Sequence, residues 1–414
     1  MRVGTGELSI TTLLRCPAMI RLRRFTLLLT LAALVAATIA ATPAEAAKRK
    51  VPFGFFGAVI PPELSYRNAV TDATLDQQLA LMASSGVESV RITLAWEDLE
   101  PTRGQYVFTN VDRLLRAASA HQLQLLFNVT QTPHWASSRP NAEFWRAPPT
   151  DPAAFGALMG ALASRYGQTG TFWTENPTLP RAPIRHWQIW NEQNAPWHWS
   201  RRPWGPSYTS LLRAAYQGIK AADSGATVVA GSFVAAPNYS QWAGVRDLYK
   251  AGAKRWFDQI AVHPFTINKK SVEGTVDQMI EIISRVRAET RRAKDGRVPL
   301  IITELSWPAS VGKVPRKALL GLETTSKGQN QRLKAGYKRL VAQRRKLGVR
   351  QAYWYTWATQ YDRKGALSVM SFRYAGLTRV RGGVFSPMPI LRTYRSLAAR
   401  YEGCRKSTNA KRCR

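Results

Sequence analysis

Two short segments of this chain place acids where they could do chemistry. One reads Trp187-Gln188-Ile189-Trp190-Asn191-Glu192-Gln193-Asn194, the other Ile301-Ile302-Thr303-Glu304-Leu305-Ser306-Trp307. Each sets a glutamate at the end of an apolar run, where a buried strand would pass into a loop. A lone carboxylate in such a place is equally well explained as a structural ion-pair partner. Two that converge on one cleft suit cleavage of a glycosidic bond. One carboxyl protonates the departing oxygen, and the other attacks the anomeric carbon from the opposite face. The retaining form of that chemistry needs the carboxyls about 5–5.5 Å apart.

Aromatic residues crowd the same segments. The chain has 14 Trp, and a tryptophan face either stacks on a sugar ring or fills a core. Trp197, His198, Trp199 and Trp204 follow Glu192 directly, with Arg201 and Arg202 between them. They would serve as stacking subsites, the arginines meeting an acidic or phosphorylated glycan, unless the loop simply packs on itself. His134, in Thr132-Pro133-His134-Trp135, stands where it could face a substrate or be satisfied by backbone.

The elements that must position these residues are legible as alternating units. Apolar, β-branched runs occupy 53–60, 89–96, 122–130, 184–194, 227–233, 257–265, 298–307 and 349–358. Helical patterns follow each in turn, at 74–84, 111–120, 152–166, 207–222, 241–251, 276–293, 328–347 and 387–401. Several of the strand runs are almost continuously apolar, as expected of strands covered on both faces. Eight such units predict an α/β chain closed into a (β/α)8 barrel, a single catalytic domain over 47–402. The Pro- and Trp-rich stretches at 131–149, 195–206, 308–327 and 360–386 all follow strand ends. In a barrel those loops gather at the catalytic face.

Other features narrow the setting. Arg21, Arg23 and Arg24 precede an apolar run over 25–40, and Ala44-Glu45-Ala46 supplies a cleavage pattern. Residues 1–46 therefore read as a secretory signal, with export to the medium or the cell envelope. The run is about 16 residues against the roughly 20 a span needs, so an uncleaved anchor is the weaker alternative. No later segment is apolar enough to cross a bilayer. Of the cysteines, Cys16 falls in the signal, leaving Cys404 and Cys413 as a candidate disulfide in the basic tail over 403–414. The formal charge of +33 favours polyanionic partners. The basic residues are scattered over predicted helix faces (Arg291, Arg292, Arg344, Arg345), with no module that would read a nucleic acid. No His/Cys/Asp cluster has metal-ligand spacing, no Gly-rich loop follows the first strand and no G-x-S-x-G elbow is present. A chemistry without metal or cofactor is expected.

With these residues in view, the chain resembles glycoside hydrolase clan A over roughly 53–401. The Trp190-Asn191-Glu192-x-Asn194 form is most similar to families 39 and 51 and their bacterial exopolysaccharide-hydrolase relatives, with family 5 more distant. The resemblance implies that Glu192 is the acid/base and Glu304 the nucleophile. It implies that Asn191 bonds a sugar 2-hydroxyl, that Arg91 makes a charge-assisted bond to the nucleophile, and that His263 lies near it. It also places an aromatic platform after the eighth strand, in Trp354-Tyr355-Thr356-Trp357. Successive strand residues face opposite ways, so Trp354 and Trp357 cannot both point inward without a bulge. Trp357, nearer the mouth, is the expected platform, and Trp197 a second substrate contact. Trp96 would pack below the site. One departure stands out: Phe265 occupies the place where many clan members carry a tyrosine that bonds the nucleophile. A transglycosidase using the same glutamates, a carbohydrate-binding protein without turnover and an envelope-associated scaffold remain open as alternatives.

Overall fold

The computed structural model describes residues 49–403, apart from 65, 68, 142, 236–238, 268 and 361–369. The expected signal, the Cys404–Cys413 pair and the tail beyond Gly403 lie outside the described residues. Among the described residues no helix is long and apolar enough to cross a membrane.

Eight parallel strands close into a barrel in chain order, with the first strand pairing both the second and the eighth. They are β1 Phe56–Ile60, β2 Ser89–Ala95, β3 Gln124–Thr130, β4 His186–Ile189, β5 Thr227–Phe233, β6 Gln259–Val262, β7 Leu300–Leu305 and β8 Val349–Trp354. Each is followed by a helix. These are α1 Asp72–Ser84, α2 Thr109–Ala120, α3 Pro152–Tyr166, α4 Trp204–Ala222, α5 Gln241–Lys250, α6 Val272–Arg292, α7 Ser326–Leu347 and α8 Pro389–Glu402. The expected (β/α)8 barrel is the observed fold. Most strands are shorter than their apolar runs because β4 and β6 hand over early to the loops that carry the functional side chains. One addition was not foreseen. The stretch after β8 forms a small sheet of β9 Ala358–Gln360, β10 Thr378–Arg381 and β11 Val384–Pro387, where an irregular loop was expected.

Local chemistry explains the punctuation. Thr71, Ser240, Ser271 and Thr325 each accept a backbone N–H at the start of their helices, and Asp151 does so ahead of Pro152 in the first turn. Gly348 ends α7 in the left-handed conformation at φ 71°, which the absence of a Cβ makes inexpensive. Strand alternation then divides the core in two. Outward residues such as Phe56, Ile92, Phe127, Trp187 and Ile302 pack against the helices in one continuous cluster. A smaller cluster of Val59, Leu126, Val229, Ala261, Ile301 and Tyr353 fills the barrel interior. In register with Val59 and Leu126 stands Arg91 of β2, a guanidinium only 1% exposed. Burying that charge is costly unless it is fully bonded, and the partners it finds build the site.

At the opposite end of the barrel, Glu88 is buried and bonded by Arg49 and the Gly54 N–H. Glu402, 1% exposed at the end of α8, has no partner for Oε1. Burial, reinforced by the Glu88 charge, pushes its carboxyl up from 4.5 to about 9. The folded chain thus holds a proton there that the unfolded chain releases above its ordinary value. Stability is full below about pH 4.5 and drains away as pH rises toward 9. Glu402→Gln is expected to remove most of this decline, which in the natural chain amounts to on the order of a few kcal/mol. Urea midpoints measured at pH 5, 7 and 9 check it. An equal fall in both proteins would show that Glu402 is not the titrating group.

Candidate active site

Glu304 lies within β7, where regular alternation from Ile301 would point it outward. The pairing of β7 with β8 slips between Ile302 and Leu305, and this bulge turns both Thr303 and Glu304 toward the barrel mouth. There Arg91 Nη1 donates to Glu304 Oε1 at 2.8 Å. The other guanidinium donors are also taken: Nη2 bonds Asn191 Oδ1 at 2.7 Å and Nε bonds Gln188 Oε1 at 2.9 Å. The Asn128 amide, turned so that both its atoms are satisfied, adds its oxygen at 3.1 Å from Nη2. The buried cation is therefore bonded on every side, as a charge removed from water must be.

Glu192 is reached through a strained turn. Trp190 and Glu192 both take left-handed backbone, at φ 69° and 49°, on either side of Asn191. Such conformations cost about 1–3 kcal/mol each in non-glycine residues and persist only where the surroundings impose them. Here the surroundings do so. The Trp190 N–H bonds Val129 O, and the Glu192 N–H bonds Ser232 Oγ at 3.0 Å. A second register slip, between Ala230 and Ser232, aims that serine inward, where it also donates to Asn191 Oδ1. The Asn191 oxygen is thus occupied twice, leaving its amide N–H groups for a ligand.

Two histidines flank Glu192. His263, fully buried after β6, donates from Nδ1 to Glu192 Oε1 at 2.7 Å, since an ionised carboxylate can only accept. Its Nε2 lies 3.0 Å from Thr303 Oγ1, a hydroxyl able to donate or accept. His263 can therefore carry one proton or two without an unpaired nitrogen. His198 Nε2 stands 3.2 Å from Glu192 Oε2, and Trp197 Nε1 donates to the same oxygen at 3.4 Å. Burial pushes the Glu192 carboxyl up, but the bonds from His198 and His263 outweigh it and hold the group below the usual carboxylate range.

Glu192, Glu304, Arg91, Asn191, His263 and Trp197 are brought together at one mouth. One oxygen of each glutamate and a His263 nitrogen lie within 4.8 Å of one another. Among the described residues this is the one cluster with ligand atoms close enough to hold a cation, and Arg91 already supplies positive charge there. His263 is bonded to Glu192, while its distance to Glu304 Oε2 is 3.6 Å, so it serves the partner of the expected nucleophile more directly than the nucleophile itself.

Two expected site residues sit elsewhere. Trp357 is fully buried in the outer core, its Nε1 donating to Gln78 on α1, and Trp354 also faces outward. The alternation at the end of β8 instead sends Tyr353 and Tyr355 inward. Tyr355 packs edge-on to Phe372, which meets Phe265 beside His263. Those rings form the aromatic wall expected of Trp357. His134 lies on the outer rim, stacked on Phe144 with Nδ1 3.0 Å from Pro140 O, because the loop folds back after Pro133. The same loop reaches the site through Trp145, whose ring meets His198 edge-on at 6.4 Å. Trp96, Trp199 and Trp204 are buried core side chains. The role of His198 was not foreseen. Trp190 creates it by donating from Nε1 to His198 O and so drawing the loop over Glu192. On the far side of that loop a cleft of about 660 Å³, lined by Asn194, Arg202, Trp204, Tyr239, Asp247 and Lys250 among others, contains neither glutamate.

Comparison with known proteins agrees with this architecture. A model of glycoside hydrolase family 42, described as beta-galactosidase, matches residues 66–144. No curated protein matches the chain by sequence. A family 39 glycoside hydrolase from Bacteroides cellulosilyticus is similar in structure at TM-score 0.57 and 18% identity, over 84% of this chain. The chain spans 64% of that protein's length. A GH5_18 enzyme from Bifidobacterium longum, solved with Manβ1-4GlcNAc, aligns over 84% of this chain and 78% of its own at TM-score 0.60 and 16% identity. A family 51 α-L-arabinofuranosidase from Bifidobacterium longum aligns over 85% and 74% at TM-score 0.57 and 14% identity. At these identities the likeness is one of fold. The resemblance to clan A drawn from the strand-end motifs recurs in families 39, 51 and 5.

Arg91→Met would leave Glu304 buried with its charge unmatched. The expected loss is about 3–5 kcal/mol, the usual result of breaking a buried ion pair from one side. Denaturant unfolding of both proteins checks it, and a loss below about 1 kcal/mol would mean that the pair is solvated.

Proposed function

We propose that this chain is an exported glycoside hydrolase that retains anomeric configuration, with Glu304 as nucleophile and Glu192 as acid/base. The observation that carries the reading is the approach of two buried carboxylates to within 4.8 Å, each held by its own cationic or proton-bearing partner. So close an approach of their nearest oxygens fits double displacement, with carboxyls about 5–5.5 Å apart, better than the inverting route at about 6.5–9.5 Å.

In this reading the scissile sugar lies across the mouth with its anomeric carbon over Glu304. A carboxylate oxygen forms a bond to that carbon as the glycosidic C–O bond breaks. The departing oxygen takes the proton from Glu192, which His263 holds in place through its Nδ1 bond. In the second step Glu192 removes a proton from water, the water oxygen replaces Glu304 on the anomeric carbon, and both glutamates return to their initial states. The amide of Asn191, with its oxygen already committed, donates to the 2-hydroxyl. Arg91 stays bonded to Glu304 and fixes its approach. Trp197, 40% exposed beside Glu192, offers a face for the leaving sugar. Exposed Arg201 on the same loop suits a substrate bearing acidic groups, whereas Arg202 lines the cleft on the loop's far side.

Glu304→Ala is expected to lose at least about 10³-fold in kcat on an activated aryl glycoside. Azide should restore turnover and give a glycosyl azide of inverted configuration. Rescue with azide only in Glu192→Ala, or an inverted product from the natural enzyme, would overturn the assignment. His198→Ala removes a donor that stabilises the Glu192 carboxylate, so the alkaline limb of the kcat/KM profile should move to higher pH. A shift to lower pH would contradict that role.

A further inference from the structure

The barrel has a second charged concavity, at the end remote from the glutamates. It encloses about 570 Å³ between the chain entering β1 and the junction of α7 with β8. Arg49, Lys50, Arg344, Arg345 and Arg350 line it, and among the described residues no acidic side chain does. Because β1 and β8 begin here, this is the N-terminal face of the barrel, while Glu192 and Glu304 stand at the C-terminal ends of the strands.

Structural duty accounts for part of the cluster. Arg49 is bonded to Glu88, Arg344 donates twice to Lys50 O, and cations in the last turn of α7 complement its dipole. It does not account for Arg350, which lies beyond the helix, or for the crowding. The charges of Arg345 and Arg350 bear on Arg344 and, after burial, hold its guanidinium below its ordinary value. Behind the floor lies a further cation. Arg287, 3% exposed, fills the space a Cβ on Gly348 would need, and its Nη2 has no hydrogen-bond partner. Its other donors go to the carbonyls of Leu347 and Gly296 and to the Thr290 hydroxyl, and Asp295 bears on the charge without bonding it. A group of like charges held together around an open concavity is stabilised by whatever brings negative charge to it.

We propose that this face is a binding site for a phosphate-bearing linear polyanion, separate from the catalytic mouth. The guanidinium fork matches phosphate oxygens in pairs. Cations on both walls, Arg49 and Lys50 facing the α7–β8 group, call for several linked charges rather than one small ion. A membrane surface fits less well. Lipid-binding faces add apolar side chains that insert, and among the described residues the exposed large apolar ones (Tyr106, Val107, Trp197, Ile267, Val311, Leu320 and Val384) all lie outside the concavity. Bound in this way, the chain would hold an anionic polymer at one end and keep its mouth free at the other. The site stands whether or not the mouth hydrolyses a glycan.

The test uses the full chain and a fluorescent polyphosphate, with binding followed by anisotropy across a salt series. Arg344→Gln, Arg345→Gln and Arg350→Gln are combined in one variant. A control variant loses the same charge at exposed Arg316, Lys317 and Lys327. The site variant is expected to bind at least about tenfold more weakly at 0.1 M salt and to lose about 2–3 from the slope of log affinity against log salt. The control should stay within about twofold of the natural chain. Equal losses in the two variants would reduce the effect to net charge and overturn the site, as would no loss in either. Tighter binding to phosphatidylglycerol vesicles than to polyphosphate, abolished in the site variant alone, would replace the polymer with a membrane surface.

Discussion

A guanidinium buried inside the barrel is the constraint around which this structure is arranged. Arg91 occupies an interior position whose register neighbours are Val59 and Leu126. An apolar side chain would fill that place at far lower cost in desolvation. Its presence obliges the barrel to supply acceptors, and Glu304 comes from β7, Asn191 and Gln188 from the β4 segment and Asn128 from β3 to do so. The same bonds that neutralise the arginine fix a carboxylate and an amide at the mouth. Satisfying a buried charge and preorganising a reactive group are here one physical problem with one solution.

The second carboxylate depends on irregularity rather than on regular strand geometry. β4 is short, and beyond it two left-handed residues carry Glu192 inward. The slips beside β5 and β7 aim Ser232, Thr303 and Glu304. These departures from ideal backbone stand where the side chains converge, which is where stored strain can be offset by bonds to neighbours. The histidines complete the arrangement from separate elements. One is fixed and buried after β6, and the other is drawn in by a tryptophan bond on a loop.

Charge is distributed between the two ends of the molecule. At the mouth Arg91 and two histidines bond the two glutamates. The opposite face gathers cations with no acid, among the described residues, in the concavity they line. Helix-face arginines read from the sequence as scattered and solvated thus include a subset that folding collects. Arg344 and Arg345 become part of a site only because β1 and β8 are neighbours across the barrel closure, separated by almost the whole chain.

The sequence by itself determined the repeating units, the barrel they form and the pair of strand-end glutamates. Those are local signals: apolar runs, helix caps and an acid at the end of each of two strands. The resemblance to clan A also marked Arg91, Asn191 and His263, and the aromatic loop after Glu192 marked Trp197. Tertiary structure alone decided which way each side chain faced. Period-two alternation gives a direction only while the ladder is regular, and bulges reverse it. That is why Glu304 turns inward, why Tyr355 rather than Trp357 reaches the mouth, and why His134 remains on the rim. It decided, too, that His198 meets Glu192 and that five cations share one concavity. Such contacts join positions far apart in sequence, and no local pattern encodes a distance between them.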